Sequence, residues 1–139
     1  SEATRRMAAD IAAQFDVRLP QDNPTASALS GGNLQKFVVG REISRRPRVF
    51  IVSQPTWGVD VGAALSIRTA ILDLAASGSA VVMISQDLEE IFAISHRVAV
   101  LHDGQMSEPM VTADTTAETV GLLMGGSMPL KTAGAGDAA

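Results

Sequence analysis

The sequence predicts an α/β fold built on a parallel sheet, and three observations carry that reading. Two short apolar runs, Val49 to Val52 and "AVVMIS" at 80 to 85, each stop at polar residues, as strands buried on both faces do. Between and after them lie segments whose apolar residues recur at helical spacing. A third strand-like stretch, "RVAVLHDGQM", turns at Asp103-Gly104 into a hairpin. Strand, helix, strand, helix, strand is the order of a parallel sheet with right-handed crossovers.

Residues 2 to 14 are rich in Ala and straight-chain residues, which predicts a helix with Met7, Ile11 and Phe15 on one face. Pro20 and Pro24 forbid its continuation, so "VRLPQDNPTASA" reads as an extended surface loop. A second helix starts near Gly31, places Leu34, Phe37 and Val38 at i, i+3 and i+4, and ends around "SRRP", where basic residues favour the helix dipole. After the first strand, Val61 to Ser77 is helical, with Ala64, Ile67, Ile71 and Leu74 on one stripe and Gly78 as C-terminal cap. Beyond the second strand, Asp87 and Glu90 have capping-box spacing for a helix that turns Leu88, Ile91 and Phe92 inward. From Gly125 onward, "GGSMPLKTAGAGDAA" lacks the apolar content to pack, so 125–139 is expected to be a disordered tail.

At 139 residues, 46% hydrophobic and 19% charged, the chain suits one ordinary domain or part of one. A net charge of -4 argues against a nucleic-acid binder of the usual basic kind. Arg41, Arg45, Arg46 and Arg48 form a local basic cluster, which reads as a solvated helix end. The absence of cysteine excludes disulfides and thiolate metal sites and suits a reducing compartment. No apolar run approaches the roughly 20 residues that a membrane helix needs. The opening "SEATRRM" runs directly into helix-forming sequence without an initiator Met, so the N-terminus reads as a cut.

Ligands of open parallel sheets sit at the carboxyl ends of the strands, which nominates Ser53-Gln54 and Ser85-Gln86. A second candidate is "LSGG" at 29 to 32. A Ser followed by two glycines at a helix start presents unpaired N–H groups, the positive end of the dipole and a hydroxyl together, an arrangement that binds phosphate oxygens. The bland alternative is that Ser30 caps the helix and the glycines ease a tight entry. On the tetrapeptide alone both readings stand.

The wider stretch "LSGGNLQK" resembles the signature motif of ABC ATPases. The order that follows is similar too: an apolar strand ending in "QPT", then "GVD", then a strand ending in "ISQD", in the places of the Walker B strand, the D-loop and the switch-histidine loop. The resemblance runs from Phe15 to Met110 and implies a partial P-loop NTPase fold, a parallel sheet flanked by helices with a C-terminal hairpin. Within it, 1–124 corresponds to the C-terminal portion of a nucleotide-binding domain. Residues 1–46 would end the helical subdomain and 47–124 would form half of the catalytic core. The G-x-x-x-x-G-K-[ST] of a Walker A motif has no counterpart, since neither Lys36 nor Lys131 has that context. The strand that carries it would lie between 80–85 and 97–102, so the sheet is expected to have a gap there, and the chain alone to be marginal, to self-associate or to re-pair those two strands.

The resemblance also implies roles, and the chain departs from several of them. Where the family has an Asp that holds magnesium through water, this chain has Ser53, whose hydroxyl brings no charge to a hard cation. The Glu that polarises the attacking water is replaced by Gln54, which cannot accept a proton. The switch His is replaced by Gln86, which hydrogen-bonds without titrating. Ser30, Gly31, Gly32 and Asn33 keep the signature, which in the family faces an ATP held by the opposite domain. Asp60 matches the D-loop Asp at the dimer interface and is also a natural N-cap for Val61 onward. Trp57 reads either as an interface residue or as a loop aromatic covering the core, and His96 and His102 as surface histidines.

The wording of "QPTWGVDVGA" and "ISQDLEE" is most similar to the second nucleotide-binding domain of tandem bacterial importers of sugars or nucleosides. That implies ATP and Mg2+ in the assembled transporter, with neither held tightly by this chain alone, and no catalytic turnover without a partner. The implied partners are an upstream nucleotide-binding domain, transmembrane permease subunits and, indirectly, a substrate-binding protein, at the cytoplasmic face of the inner membrane. An alternative is a DNA-repair or chromosome-organising ATPase, which also carries an LSGG-type signature but flanks it with long coiled coils that this sequence does not show. A third is a signature-bearing module that only docks.

Overall fold

The computed structural model describes residues 1–129. Most of the stretch expected to be a tail, 130–139, lies outside the described residues. The chain divides into two compact units, Ser1–Ser85 and Gln86 onward.

In the first unit, α1 (Glu2–Gln14), α2 (Gly31–Ser44), β1 (Val49–Ser53), α3 (Val61–Ala76) and β2 (Ala80–Ile84) follow in chain order. Capping residues fix three of the helix starts. Ser1 accepts from the Thr4 N–H, Ser30 from Asn33 and Asp60 from Ala63. At the other end of α3, Gly78 sits at φ +100, and the N–H groups of Gly78 and Ser79 reach back to the carbonyls of Ala75 and Leu74, a Schellman closure. The core joins Ile11, Ala12, Phe15 and Val17 to Val39, Ile43, Phe50, Ile67, Ile71 and Leu74. Gly40 is the hinge of that packing: a Cβ there would stand 2.6 Å from the Phe15 ring.

Three helix faces differ from expectation. Met7 is exposed. On α2 the buried stripe is Lys36, Val39, Gly40 and Ile43, while Leu34 and Val38 are exposed. Spacing at i, i+3, i+4 and i+7 is obeyed, but by a lysine and a glycine that hydrophobic patterning passes over. Lys36 can be buried because its apolar stem packs while its Nζ donates to the Asp16 carbonyl at 2.5 Å. On α3 it is Ala63, not Ala64, that joins Ile67, Ile71 and Leu74 inside.

β1 and β2 pair in parallel, from Val49 opposite Ala80 to Ser53 opposite Ile84. The expectation of burial on both faces is corrected here. Phe50 is buried with Val52, Val81 and Met83 half-buried on one side, but Val49, Ile51, Val82 and Ile84 remain 44–67% exposed on the other. Alternation follows the pleat, and nothing among the described residues covers the second face.

The second unit contains α4 (Leu88–Ile94), β3 (Arg97–Val98), β4 (Leu101–His102), β5 (Gln105–Met106), β6 (Met110–Val111) and α5 (Ala117–Met124). Asp87 caps α4 through the Glu90 N–H, as the spacing predicts. Val98, Val100, Val120 and Leu123 form the core, with Leu88, Ile91, Phe92 and Met110 packed on it. Asp103 and Gly104, both at positive φ, close the β4–β5 hairpin as a type I′ turn. The stretch 97–102 is not a third strand of the parallel sheet: β3 pairs antiparallel with β6, and β4 with β5. β2 pairs only with β1 among the described residues, so the expected re-pairing of 80–85 with 97–102 does not occur. At the end of α5, the N–H groups of Gly125, Gly126 and Ser127 return to Gly121, Leu123 and Leu122.

Candidate functional site: an open cleft at the first turn of α2

The first turn of α2 meets the loop between β1 and α3, and the two enclose an open cleft of about 570 Å³. Ser30, Gly32 and Asn33 line it from the helix start, Gly58, Val59 and Asp60 from the loop, and Arg18 and Lys36 complete its wall. The first intrahelical bond runs from the Leu34 N–H to the Ser30 carbonyl, so the N–H groups of Gly31 and Gly32 precede the helix ladder. Ser30 Oγ accepts from the Asn33 N–H at 3.4 Å and from Asn33 Nδ2 at 3.1 Å. Asn33 Oδ1 accepts in turn from the Arg18 N–H at 3.0 Å, which ties the preceding loop to the turn.

The two glycines serve different ends. A Cβ on Gly32 would stand 3.0 Å from the Gly58 carbonyl oxygen, so Gly32 permits the close approach of helix and loop. A Cβ on Gly31 would meet nothing within 4 Å. Among the described residues, no packing calls for a glycine at position 31, and the space beside it is open.

The charges around the cleft are arranged in a definite way. Lys36 is buried, bonded to the Asp16 carbonyl, with the Asp16 carboxylate 3.9 Å away. Asp60 Oδ1 accepts from the Ala63 N–H at 2.9 Å. That backbone bond holds its carboxyl below the ordinary value of 3.8, and the positive charge of Lys36 lowers it further. Asp60 is therefore ionised across the neutral range. The helix dipole and two cations supply positive potential, and a single fixed carboxylate marks the far rim.

The strand-end positions are placed differently. Ser53 is exposed at the end of β1. Gln54 adopts a left-handed backbone at φ +49, its N–H donating to the Ile84 carbonyl at 2.7 Å. Neither offers a carboxylate, so the end of β1 does not fit a divalent cation. Gln86 opens the second unit, one residue before the α4 cap. Ser30, Gly32, Asn33 and Asp60 thus gather in one cleft with Gly31 at the same helix start, while Ser53, Gln54 and Gln86 are not among its lining residues. Trp57 is 79% exposed, which removes the core-covering alternative. Sequence reasoning missed Arg18, Gln35 and Lys36. The signal for Lys36 was its place three residues before Val39 and seven before Ile43.

No protein-family model matches the chain. The glucose import ATP-binding protein TsgD13 of Haloferax volcanii is 48% identical over 124 residues, 87% of this chain and 22% of that protein. The guanosine import ATP-binding protein NupO of Bacillus subtilis is 41% identical over 122 residues, 88% of this chain and 24% of its own length. The nucleoside import ATP-binding protein NupA of Lactococcus lactis is 44% identical over 119 residues, 86% of this chain and 24% of its own length. Among solved structures, a nucleotide-free cassette from an ABC transporter superposes with a TM-score of 0.64 at 25% identity, covering 93% of this chain and 48% of that one. A dimeric cassette in a post-hydrolysis state, bound to ADP and Pi, superposes with a TM-score of 0.70 at 22% identity, covering 81% and 48%.

The fold is that of part of an ATP-binding cassette. The chain belongs to the ABC-type ATP-binding proteins, and its relatives are named for sugar and nucleoside import. It spans less than a quarter of the length of these three relatives, at 22–24%, and about half, at 48%, of these two solved cassettes.

Proposed function

We propose that this chain supplies the signature half of an ATP site in an importer of sugars or nucleosides, completing a nucleotide held by a partner cassette. The observation that carries the reading is Gly31: a glycine with open space around it, at a helix start whose N–H groups point out beside the Ser30 hydroxyl. Such a turn binds phosphate oxygens, and the cleft adds Arg18 and Lys36 without adding a lysine of the P-loop kind. Ser30, Gly31, Gly32 and Asn33 would face the outer phosphates in trans, and Asp60 would lie at the contact with the partner. Bound ATP with Mg2+ would supply the phosphoryl group to be hydrolysed, and Ser30, Gly31, Gly32 and Asn33 would hold and orient its outer phosphate oxygens.

The chain's own strand ends do not support hydrolysis. Ser53 and Gln54 bring neither charge for a cation nor a base for water, and Gln86 brings an amide where a titrating ring would serve. Residues 1–46 are read as the end of the helical subdomain, 47–124 as half of the core, and 125–139 as a tail. The chain would be the C-terminal part of the degenerate second nucleotide-binding domain of a tandem importer ATPase, peripheral at the cytoplasmic face of the inner membrane and docked on permease subunits that receive substrate from a binding protein. The relatives' printed names and the retained motif order support this.

The test mixes the chain with a cassette half from a sugar importer that carries G-x-x-x-x-G-K-[ST] and follows ATP turnover. Stimulation is expected, and Ser30→Arg, which fills the mouth of the turn with a long side chain, is expected to lower it at least about tenfold, as loss of a positioned phosphate contact does. Absence of stimulation, or stimulation untouched by Ser30→Arg, sinks the proposal.

A further inference from the structure

We propose that Gln35 is a positioning residue that bolts the loop leaving β1 to the first turn of α2, so that the cleft is presented as one preformed surface. Its side-chain amide nitrogen donates to two successive carbonyls, Gln54 at 3.0 Å and Pro55 at 3.1 Å. The Gln54 carbonyl also accepts from the Trp57 N–H at 3.2 Å, while the Gln54 N–H donates to Ile84 in β2 at 2.7 Å. Gln54 is thereby held from both sides in a left-handed conformation that a long side chain seldom adopts. One side chain links helix, loop and sheet at the point where the backbone is least settled by its own preference.

The consequence reaches the cleft. The loop that Gln35 clamps is the one whose Gly58 carbonyl abuts Gly32 and whose Asp60 closes the rim. Without the clamp, residues 54–60 lose both bonds from Gln35, while the turn bonds Trp57 to Gln54 and Val59 to Thr56, the Asp60 cap and the Gln54 N–H bond to β2 remain. The signature turn would then face a loop of uncertain position. That this matters to turnover rests on the reading of the cleft as half of a shared ATP site; that Gln35 sets the loop does not.

Two variants separate the possibilities. Gln35→Met keeps the length and removes both donated bonds, and Gln35→Glu places a carboxylate against two carbonyl oxygens. Peptide-resolved amide exchange of the 139-residue chain is the readout, with the emission of Trp57, the only tryptophan, as a second probe. Exchange across 54–60 is expected to rise at least about fivefold in both variants, since the two donated bonds together are worth one net hydrogen bond or more, with α2 and β1 amides unchanged and the Trp57 emission altered. With the partner half present, kcat for ATP is expected to fall while KM holds. Unchanged exchange at 54–60 overturns the proposal, and so does a loss of protection spread evenly over residues 1–85, which would make Gln35 a general stabiliser. If Ser30→Arg leaves the partner's turnover intact, the shared-site reading falls, while the exchange result still decides the role of Gln35.

Discussion

Gly31 and Gly32 stand side by side in the same motif, yet their surroundings assign them opposite sensitivities. Replacing Gly32 by Ala pushes a methyl to 3.0 Å from the Gly58 carbonyl, so helix and loop must part. We expect that change to cost about 1 kcal/mol or more in urea unfolding, since overpacking outweighs the helix propensity that Ala gains. Gly31→Ala meets open space and is expected to leave stability equal or raised by a few tenths to ~1 kcal/mol, while reducing stimulation of the partner. Equal stability losses at both positions would show that the cleft geometry is wrong. The sequence could not separate the two glycines, because what separates them is a loop 26 residues further on in the chain for Gly58. Likewise the left-handed Gln54 was illegible: glutamine carries no preference for φ +49, and it is bonds to Ile84, Trp57 and Gln35 that hold it there.

At the scale of the element, caps were the most legible feature. Ser30, Asp60, Asp87 and the Gly78 closure all lie where local chemistry puts them, since each is decided within three or four residues. Which face a helix buries was less legible. On α2 the inward stripe holds a lysine whose cost is met by the Asp16 carbonyl, 20 residues away, and a glycine shaped by Phe15. The Asp60 cap gives α3 a pH dependence whose sign is fixed. Its folded-state pKa is depressed, so the stabilisation is present above the ordinary value of 3.8 and is lost as pH falls through the folded value. Asp60→Ala is expected to lower the thermal midpoint at pH 7, with the gap from the parent chain closing below pH 3.8 as the cap protonates. A gap that stays constant down to pH 2 would remove the carboxylate from the explanation.

For the molecule as a whole, the fold class was readable and the layering was not. Two apolar runs joined by an amphipathic helix gave the parallel β1–β2 pair, but the same runs were read as buried on both faces. Val49, Ile51, Val82 and Ile84 instead stand open, because a run of apolar residues records the sheet's need for cover and not whether this chain provides it. The third strand was half readable: the turn at Asp103-Gly104 gave the β4–β5 hairpin, but the pairing of β3 with β6, which takes 97–102 out of the parallel sheet, was not legible. These relatives are more than four times as long as the part this chain spans, so under the proposed reading the other side of the phosphate site would come from a second cassette half.

The claim that the cleft is half of a shared site is tested most directly by size-exclusion with light scattering of the chain and a P-loop-bearing cassette half, with and without ATP. The expected result is a one-to-one complex that forms only with ATP and is abolished by Gly31→Val, which fills the open space while leaving the chain folded. Tight ATP binding or turnover by the chain alone, or a complex indifferent to both ATP and Gly31→Val, would contradict it.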